Sequence, residues 1–324
     1  MTGASRARLR TVVQAAFAVA VIVFVAIYLA KVDWEQLRGL RFAWAPMIVA
    51  TLLGLLYRYW GAYIWLVLLS RLGATGMRRH WTELSAVYAK AWLGRYILGA
   101  GTWILGKVYF ASQHGISKSK LAVSGVLEGA LQLIATLAVG LALVAVDPRF
   151  GSLSSEAVVL TVVALVVCVV ALVPPVFRFL MDLAYRVVRR RRLPASDRPD
   201  GRTIVTGGLL YVAGTFITGV SYYFVARAVY ADLGWADVAY VVGSASIASA
   251  ISLLAVFAPG GIGVREGVQV LLLSALMPTE AAVLITVVTR LWSVLVDVLF
   301  FGAAWSWARV ARRRTGAREQ VLQP

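Results

Sequence analysis

Eight ionisable side chains interrupt otherwise apolar stretches of this 324-residue chain: Arg58, Arg95, Lys107, Glu128, Arg265, Glu266, Arg290 and Asp297. A charge held in the middle of a bilayer-crossing helix costs about 2.5–3.5 kcal/mol on insertion scales, so such groups face a partner or a polar cavity. Their spacing carries information. Arg290, Ser293 and Asp297 fall on one helical face, and Gly125, Glu128, Gly129 and Gln132 form a second stripe of small and polar residues. Small residues on such a stripe let another helix approach closely. Arg265 and Glu266 directly follow a glycine-rich turn built from Pro259, Gly260, Gly261 and Gly263. A helix beginning there points backbone N–H groups and its positive dipole end at whatever binds, which favours an anion.

Two readings of these charges stay open at this level. In one, Arg58, Arg265 and Arg290 are neutralised internally by Glu128, Glu266 and Asp297. In the other, the group binds a ligand: five cations stand against three anions in the set, and the surplus suits a phosphate or carboxylate. Arginine's planar fork donates two bonds to such a group. No nucleotide-binding G-x-x-x-x-G-K-[ST] motif occurs. No metal cluster or cofactor motif is expected, since the lone Cys168 reads as a packing residue. His80 and His114 fall in loop positions rather than in a catalytic constellation.

The elements that position these charges follow from composition. Apolar residues make up 60% of the chain, charged residues 15%, and mean hydropathy is +0.80. A bilayer core needs about 20 apolar residues per helical crossing. Six segments meet that length: Thr11 to Ala30, Trp44 to Leu69, Leu121 to Val146, Ala157 to Val176, Thr203 to Tyr230 and Ala281 to Trp307. Backbone amides in lipid must be satisfied within their own segment, so these are helices. The first follows Arg6, Arg8 and Arg10 and reads as a retained helix rather than a cleaved leader.

Two further stretches are broken by glycine. Trp81 to His114 is interrupted at Gly94, Gly99, Gly101 and Gly106, and Trp235 to Pro278 at Pro259, Gly260, Gly261 and Gly263. Each is expected to enter the membrane, turn and leave on the same side, and paired broken helices of opposite entry are the sign of an inverted repeat. The expected fold is therefore all-α and polytopic, with about six full transmembrane helices and two re-entrant hairpins. The halves divide at residues 1–192 and 193–324.

The formal net charge of +17 follows the positive-inside pattern rather than a nucleic-acid footprint. Basic residues gather at Arg71, Arg78 and Arg79, at Lys118 and Lys120, at Arg186 to Arg192 and in the tail. That places both termini in the cytoplasm and the chain in the cell membrane. Phe177 to Val188 is short and amphipathic, and either lies along the inner membrane surface or forms part of a basic loop that only sets topology. Leu193 to Arg202 reads as a flexible linker between halves.

The run Phe257-Ala258-Pro259-Gly260-Gly261-Ile262-Gly263-Val264-Arg265-Glu266-Gly267 resembles the hallmark of the lysylphosphatidylglycerol synthase transmembrane family, the flippase-like domains of the multiple peptide resistance factor and of stand-alone relatives. The helix bearing Arg290 and Asp297 looks like the element following that motif. Gly94-Arg95-Tyr96, Gly106-Lys107, Gly115-Ile116-Ser117 and Glu128 resemble the first-half pattern. Leu98-Gly99-Ala100-Gly101 stands where family members often carry Pro-Gly, and no segment of these 324 residues resembles the aminoacyl-transferase domain of the resistance factor. The resemblance implies lipid translocation without lipid synthesis. Membrane lipids with a phosphate-bearing headgroup are the implied partners, with a homo-oligomer and a lipid-modifying enzyme as further ones. Against this flippase or scramblase reading stand a polyprenyl-phosphate-dependent glycosyltransferase, suggested by Asp33-Trp34-Glu35 in the first outer loop, and a scaffold without activity.

Overall fold

The computed structural model describes residues 42–75, 80–98, 102–152, 154–189, 193–194, 197–254 and 263–321. The expected first span, Asp33-Trp34-Glu35, and the turn residues Gly99, Gly101, Pro259, Gly260 and Gly261 lie outside them. So does the side chain of Arg95. Helices joined by short loops make up the described residues, with no strand among them.

Ten helices follow in order: α1 (Trp44–Arg71), α2 (Trp81–Leu98), α3 (Thr102–Ala111), α4 (Lys118–Ala145), α5 (Ser155–Leu172), α6 (Pro174–Arg189), α7 (Gly201–Val229), α8 (Val238–Leu254), α9 (Val264–Leu273) and α10 (Thr279–Val321). Five of them contain segments expected from the sequence to cross the membrane: α1, α4, α5, α7 and α10. Trp235–Leu254, a short 3-10 turn leading into α8, is also long and apolar enough to cross. Twenty residues reach about 30 Å at 1.5 Å per residue. The first arm of the second hairpin therefore has the length of a full span, where the sequence suggests a half-depth arm.

The expected span Ala157 to Val176 ends early. Val173 is extended (φ −64°, ψ 126°) and Pro174 opens α6. A residue before proline is pushed out of the helical region, while proline itself suits a first helical position. Within α5 only Cys168 is buried, and Val159, Leu160, Val163, Val166, Val167 and Val170 all point outward. A helix apolar on every side yet covered on one side only is solvated by lipid.

The linker is anchored. Leu193 is buried in a cluster with Phe177, Met181 and Ile204, Asp197 accepts a hydrogen bond from Ser119, and Asp200 caps α7 by accepting from Thr203 N–H at 2.7 Å. The Thr203 hydroxyl first, and then its N–H, hold the Asp200 carboxyl below the usual carboxylate range.

The helix contacts repeat. Exchanging α1 with α7, α2 with α8, α3 with α9 and α4 with α10 maps the contacts onto one another: α2 packs on α10 as α8 packs on α4, α3 on α4 as α9 on α10, and α4 on α7 as α10 on α1. The central pair, α1 and α7, runs antiparallel. Ala43 N–H donates to the Ala228 carbonyl, the Ser221 hydroxyl to Ala50, and the Trp60 indole to Leu210. Antiparallel α1 and α7 make the two units, Trp44–Ala145 and Gly201–Val321, inverted copies of one arrangement. Close approach makes the crossing of α4 and α8 possible. A Cβ on Gly140 would stand 3.0 Å from the Gly243 carbonyl oxygen, and one on Gly243 would stand 3.0 Å from the Gly140 oxygen.

Candidate functional site

The sequence-selected charges fall into three groups. The first lies between α1 and α10, where Arg58 is paired with Asp297 across 239 positions of chain. Asp297 is fully buried, and the Arg58 guanidinium lies 5.5 Å from the Tyr57 ring centroid and 5.8 Å from that of Trp92. At the same register in the inverted unit, Thr215 of α7 and Thr136 of α4 share a hydrogen bond at 3.2 Å. The charge pair thus has a neutral counterpart.

The second group sits in the first hairpin. Lys107 Nζ lies 2.5 Å from Glu128 Oε2, and their side chains are 0% and 1% exposed. Tyr88 donates to the other Glu128 oxygen at 3.2 Å. The ammonium is boxed by rings, 4.1 Å from the centroid of Tyr88, 4.4 Å from Trp103 and 5.1 Å from Trp65. Facing aromatic faces stabilise a desolvated cation. Gly125 lets α3 close on α4, since its missing Cβ would fall 2.7 Å from Ile104 Cγ2. The stripe read from sequence therefore seals the hairpin against α4. Arg58 with Asp297 and Lys107 with Glu128 thus take the internal pairing that the sequence left open beside headgroup binding. A lone buried charge would cost several kcal/mol, so each recruits its opposite.

The third group differs. At the start of α9, Gly263 adopts φ +87°, a left-handed conformation that glycine enters without a side-chain clash. Its N–H donates to the Glu266 carboxylate at 2.7 Å, closing the first turn of the helix. The same carboxylate faces Arg290 of α10, but Nη1 and Oε1 are 3.6 Å apart, beyond hydrogen-bond length, and both side chains are partly exposed (28% and 27%). Arg265, Glu266, Gln269, Thr286, Thr289 and Arg290 line a recess between α9 and α10 that has no room for a water-sized guest in this conformation.

On α10 the polar positions Thr286, Thr289, Arg290, Ser293 and Asp297 form one face. Thr286, Thr289 and Ser293 donate to carbonyls one turn back, at 2.7 Å each. This face joins the recess to the buried Arg58–Asp297 pair. A polar path continues beyond it through Tyr57, which accepts from Gln132 of α4 at 3.3 Å. Glu128 lies one turn before Gln132 on that helix.

Gln269, Thr286, Thr289, Tyr88, Trp65 and Trp103 were missed at the level of sequence. Extending the Arg290–Ser293–Asp297 periodicity backward would have found the two threonines. The aromatic box has no such signal, because its members come from three different helices. Among the described residues no cluster suited to a metal ion occurs.

Outside the membrane, Arg149 joins two elements. It donates to Asp147 at 2.6 Å and to Asp237 at 3.2 Å, tying the loop after α4 to the base of the second hairpin. These bonds hold the Asp147 carboxyl below its ordinary range and raise the Arg149 guanidinium.

A search of curated proteins finds no match to the chain. Residues 11–300 match the family described as the lysylphosphatidylglycerol synthase TM region, covering both hairpins and both buried charge groups. With its apolar spanning helices, the chain is a multi-pass membrane protein belonging to the lysylphosphatidylglycerol synthase TM region family.

Proposed function

We propose that this protein is a lipid flippase or scramblase that moves a phosphate-bearing lipid headgroup across the cell membrane through the α9–α10 recess. The observation carrying this reading is the charge balance of that recess. Two guanidinium groups, Arg265 and Arg290, line it with one carboxylate, Glu266, which is held mainly by the helix cap and stands 3.6 Å from Arg290. The first hairpin, by contrast, holds one cation and one anion in close contact.

A headgroup phosphate entering beside α9 would replace the loose Glu266 contact with charge-assisted bonds from both arginines. The amide of Gln269 would donate to a further phosphate oxygen, and the Thr286 and Thr289 oxygens, whose O–H groups are held by backbone carbonyls, would accept from a headgroup donor. Acyl or prenyl chains would remain in the bilayer, since Leu271, Leu291 and Leu295 on the outer faces of α9 and α10 are exposed and apolar. The recess is too narrow as it stands, so loading requires α9 to draw away from α10. Arg58–Asp297 and Lys107–Glu128 then act as the fixed frame against which the hairpin moves.

Reconstitution in liposomes carrying fluorescent phospholipids tests this. Dithionite should bleach inner-leaflet label through transfer in the native protein. Arg290→Ala or Arg265→Ala should slow that transfer at least about tenfold, the loss expected for a hydrogen bond to a charged group. Unchanged rates in both variants would remove the proposal.

A further inference from the structure

We infer a second lipid site, independent of the transport reading, in the cavity beneath α6: it takes a phospholipid whose headgroup carries a hydrogen-bond donor beside its phosphate. The cavity has a volume of about 290 Å³ and is lined by Arg178, Met181 and Asp182 of α6 and by Leu193, Arg198 and Asp200 of the linker, among others. Its depth follows from the chain. α5 ends at Leu172, α6 turns off at Pro174, and α7 re-enters at Gly201, so α6 and its cavity lie where a spanning helix meets the headgroup layer.

The faces of α6 divide accordingly. Phe177 and Met181 are buried against the bundle, while Phe179, Leu180, Leu183 and Val187 form an exposed apolar sector. The sector between these, Arg178, Asp182 and Arg186, is polar. An interfacial helix buries such an apolar sector among acyl chains and keeps its polar sector at the headgroups.

Inside the cavity the donors and acceptors are unequally used. Arg178 Nε donates to the Pro174 carbonyl at 3.2 Å, which leaves the two terminal amino groups of the fork. Arg198 meets one Asp182 oxygen at 3.2 Å. The other, Asp182 Oδ1, is buried and has no hydrogen-bond partner. A buried acceptor left unpaired is costly, and it marks the place of a donor. A phosphate on Arg178 and Arg198 with an ammonium or hydroxyl on Asp182 satisfies both sides. Ethanolamine and glycerol headgroups carry such a donor; choline does not.

The test uses the full chain in nanodiscs doped with phosphatidylethanolamine, phosphatidylglycerol, phosphatidylcholine or phosphatidic acid, with lipid retention read by native mass spectrometry. Retention of the ethanolamine and glycerol lipids over the choline lipid is expected. Arg178→Ala combined with Arg198→Ala should lower retention of both about tenfold or more. Asp182→Asn should erase the preference over choline while retaining phosphate-dependent binding. Arg178→Lys, which keeps charge but not the fork, should fall between. Equal retention of all four lipids, indifference to the arginine pair, or displacement by millimolar inorganic phosphate alone would overturn the inference.

Discussion

Arg290 Nη1 and Glu266 Oε1 stand 3.6 Å apart across the α9–α10 recess, while Lys107 and Glu128, which join α3 to α4 in the inverted unit, are 2.5 Å apart. The two hairpins are thus built alike and charged differently. One is locked by a dry ion pair inside an aromatic box; the other is closed over a recess with more cation than anion. The transport proposal rests on that difference.

The locked hairpin should behave as a coupled pair. Glu128→Gln alone strands the Lys107 ammonium in a fully buried site, and breaking a buried pair in this way costs about 3–5 kcal/mol. Lys107→Met with Glu128→Gln removes both charges and should recover most of that loss. Thermal unfolding of the detergent-solubilised variants checks this. Additive losses in the double variant would mean that the two side chains do not act on each other.

The crossing of α4 and α8 should tolerate no side chain. Gly140→Val and Gly243→Val each push a Cβ to about backbone contact with the facing carbonyl, which cannot move as a flexible side chain would. Overpacking of this kind costs about 1–3 kcal/mol, read as a lower unfolding temperature. Gly267→Ala, where nothing lies within 4 Å of the added Cβ, should be nearly neutral by the same measure.

The loop clasp at Arg149 gives a pH dependence with a definite sign. Because its bonds to Arg149 depress the Asp147 carboxyl in the folded protein, the stabilisation is present above the unfolded carboxylate range near about 3.9 and disappears as pH falls through the lower folded value. Asp147→Asn should therefore lower the unfolding temperature by a few degrees at neutral pH and flatten the acid limb of the stability profile. A variant with an unaltered acid limb would show that the clasp contributes nothing.

Legibility in the sequence tracked the physics of each element. Long apolar blocks announced α1, α4, α5, α7 and α10, because lipid forces every backbone group to pair within its own helix. The breaks expected at Gly94 and Gly106 fall inside α2 and α3, which stay helical through them, while those at Gly99, Gly101 and Pro259 to Gly261 lie outside the described residues. What stayed hidden was partnership: nothing in the sequence tells that Arg58 meets Asp297, 239 positions away, or that Lys107 sits among Tyr88, Trp103 and Trp65. Proline grammar at Val173-Pro174 could have ended α5 correctly. The linker looked free by composition, yet Leu193, Asp197 and Asp200 each find a partner that only the fold supplies.

The central claim is that α9 must part from α10 for a headgroup to reach Arg265 and Arg290. In a Cys168→Ala background, Gln269→Cys with Thr289→Cys places one thiol on each wall of the recess, and a short reducible bifunctional thiol reagent can join them. Lipid transfer in liposomes should stop on cross-linking and return on reduction. Transfer that continues at the same rate with the two helices joined would contradict the account.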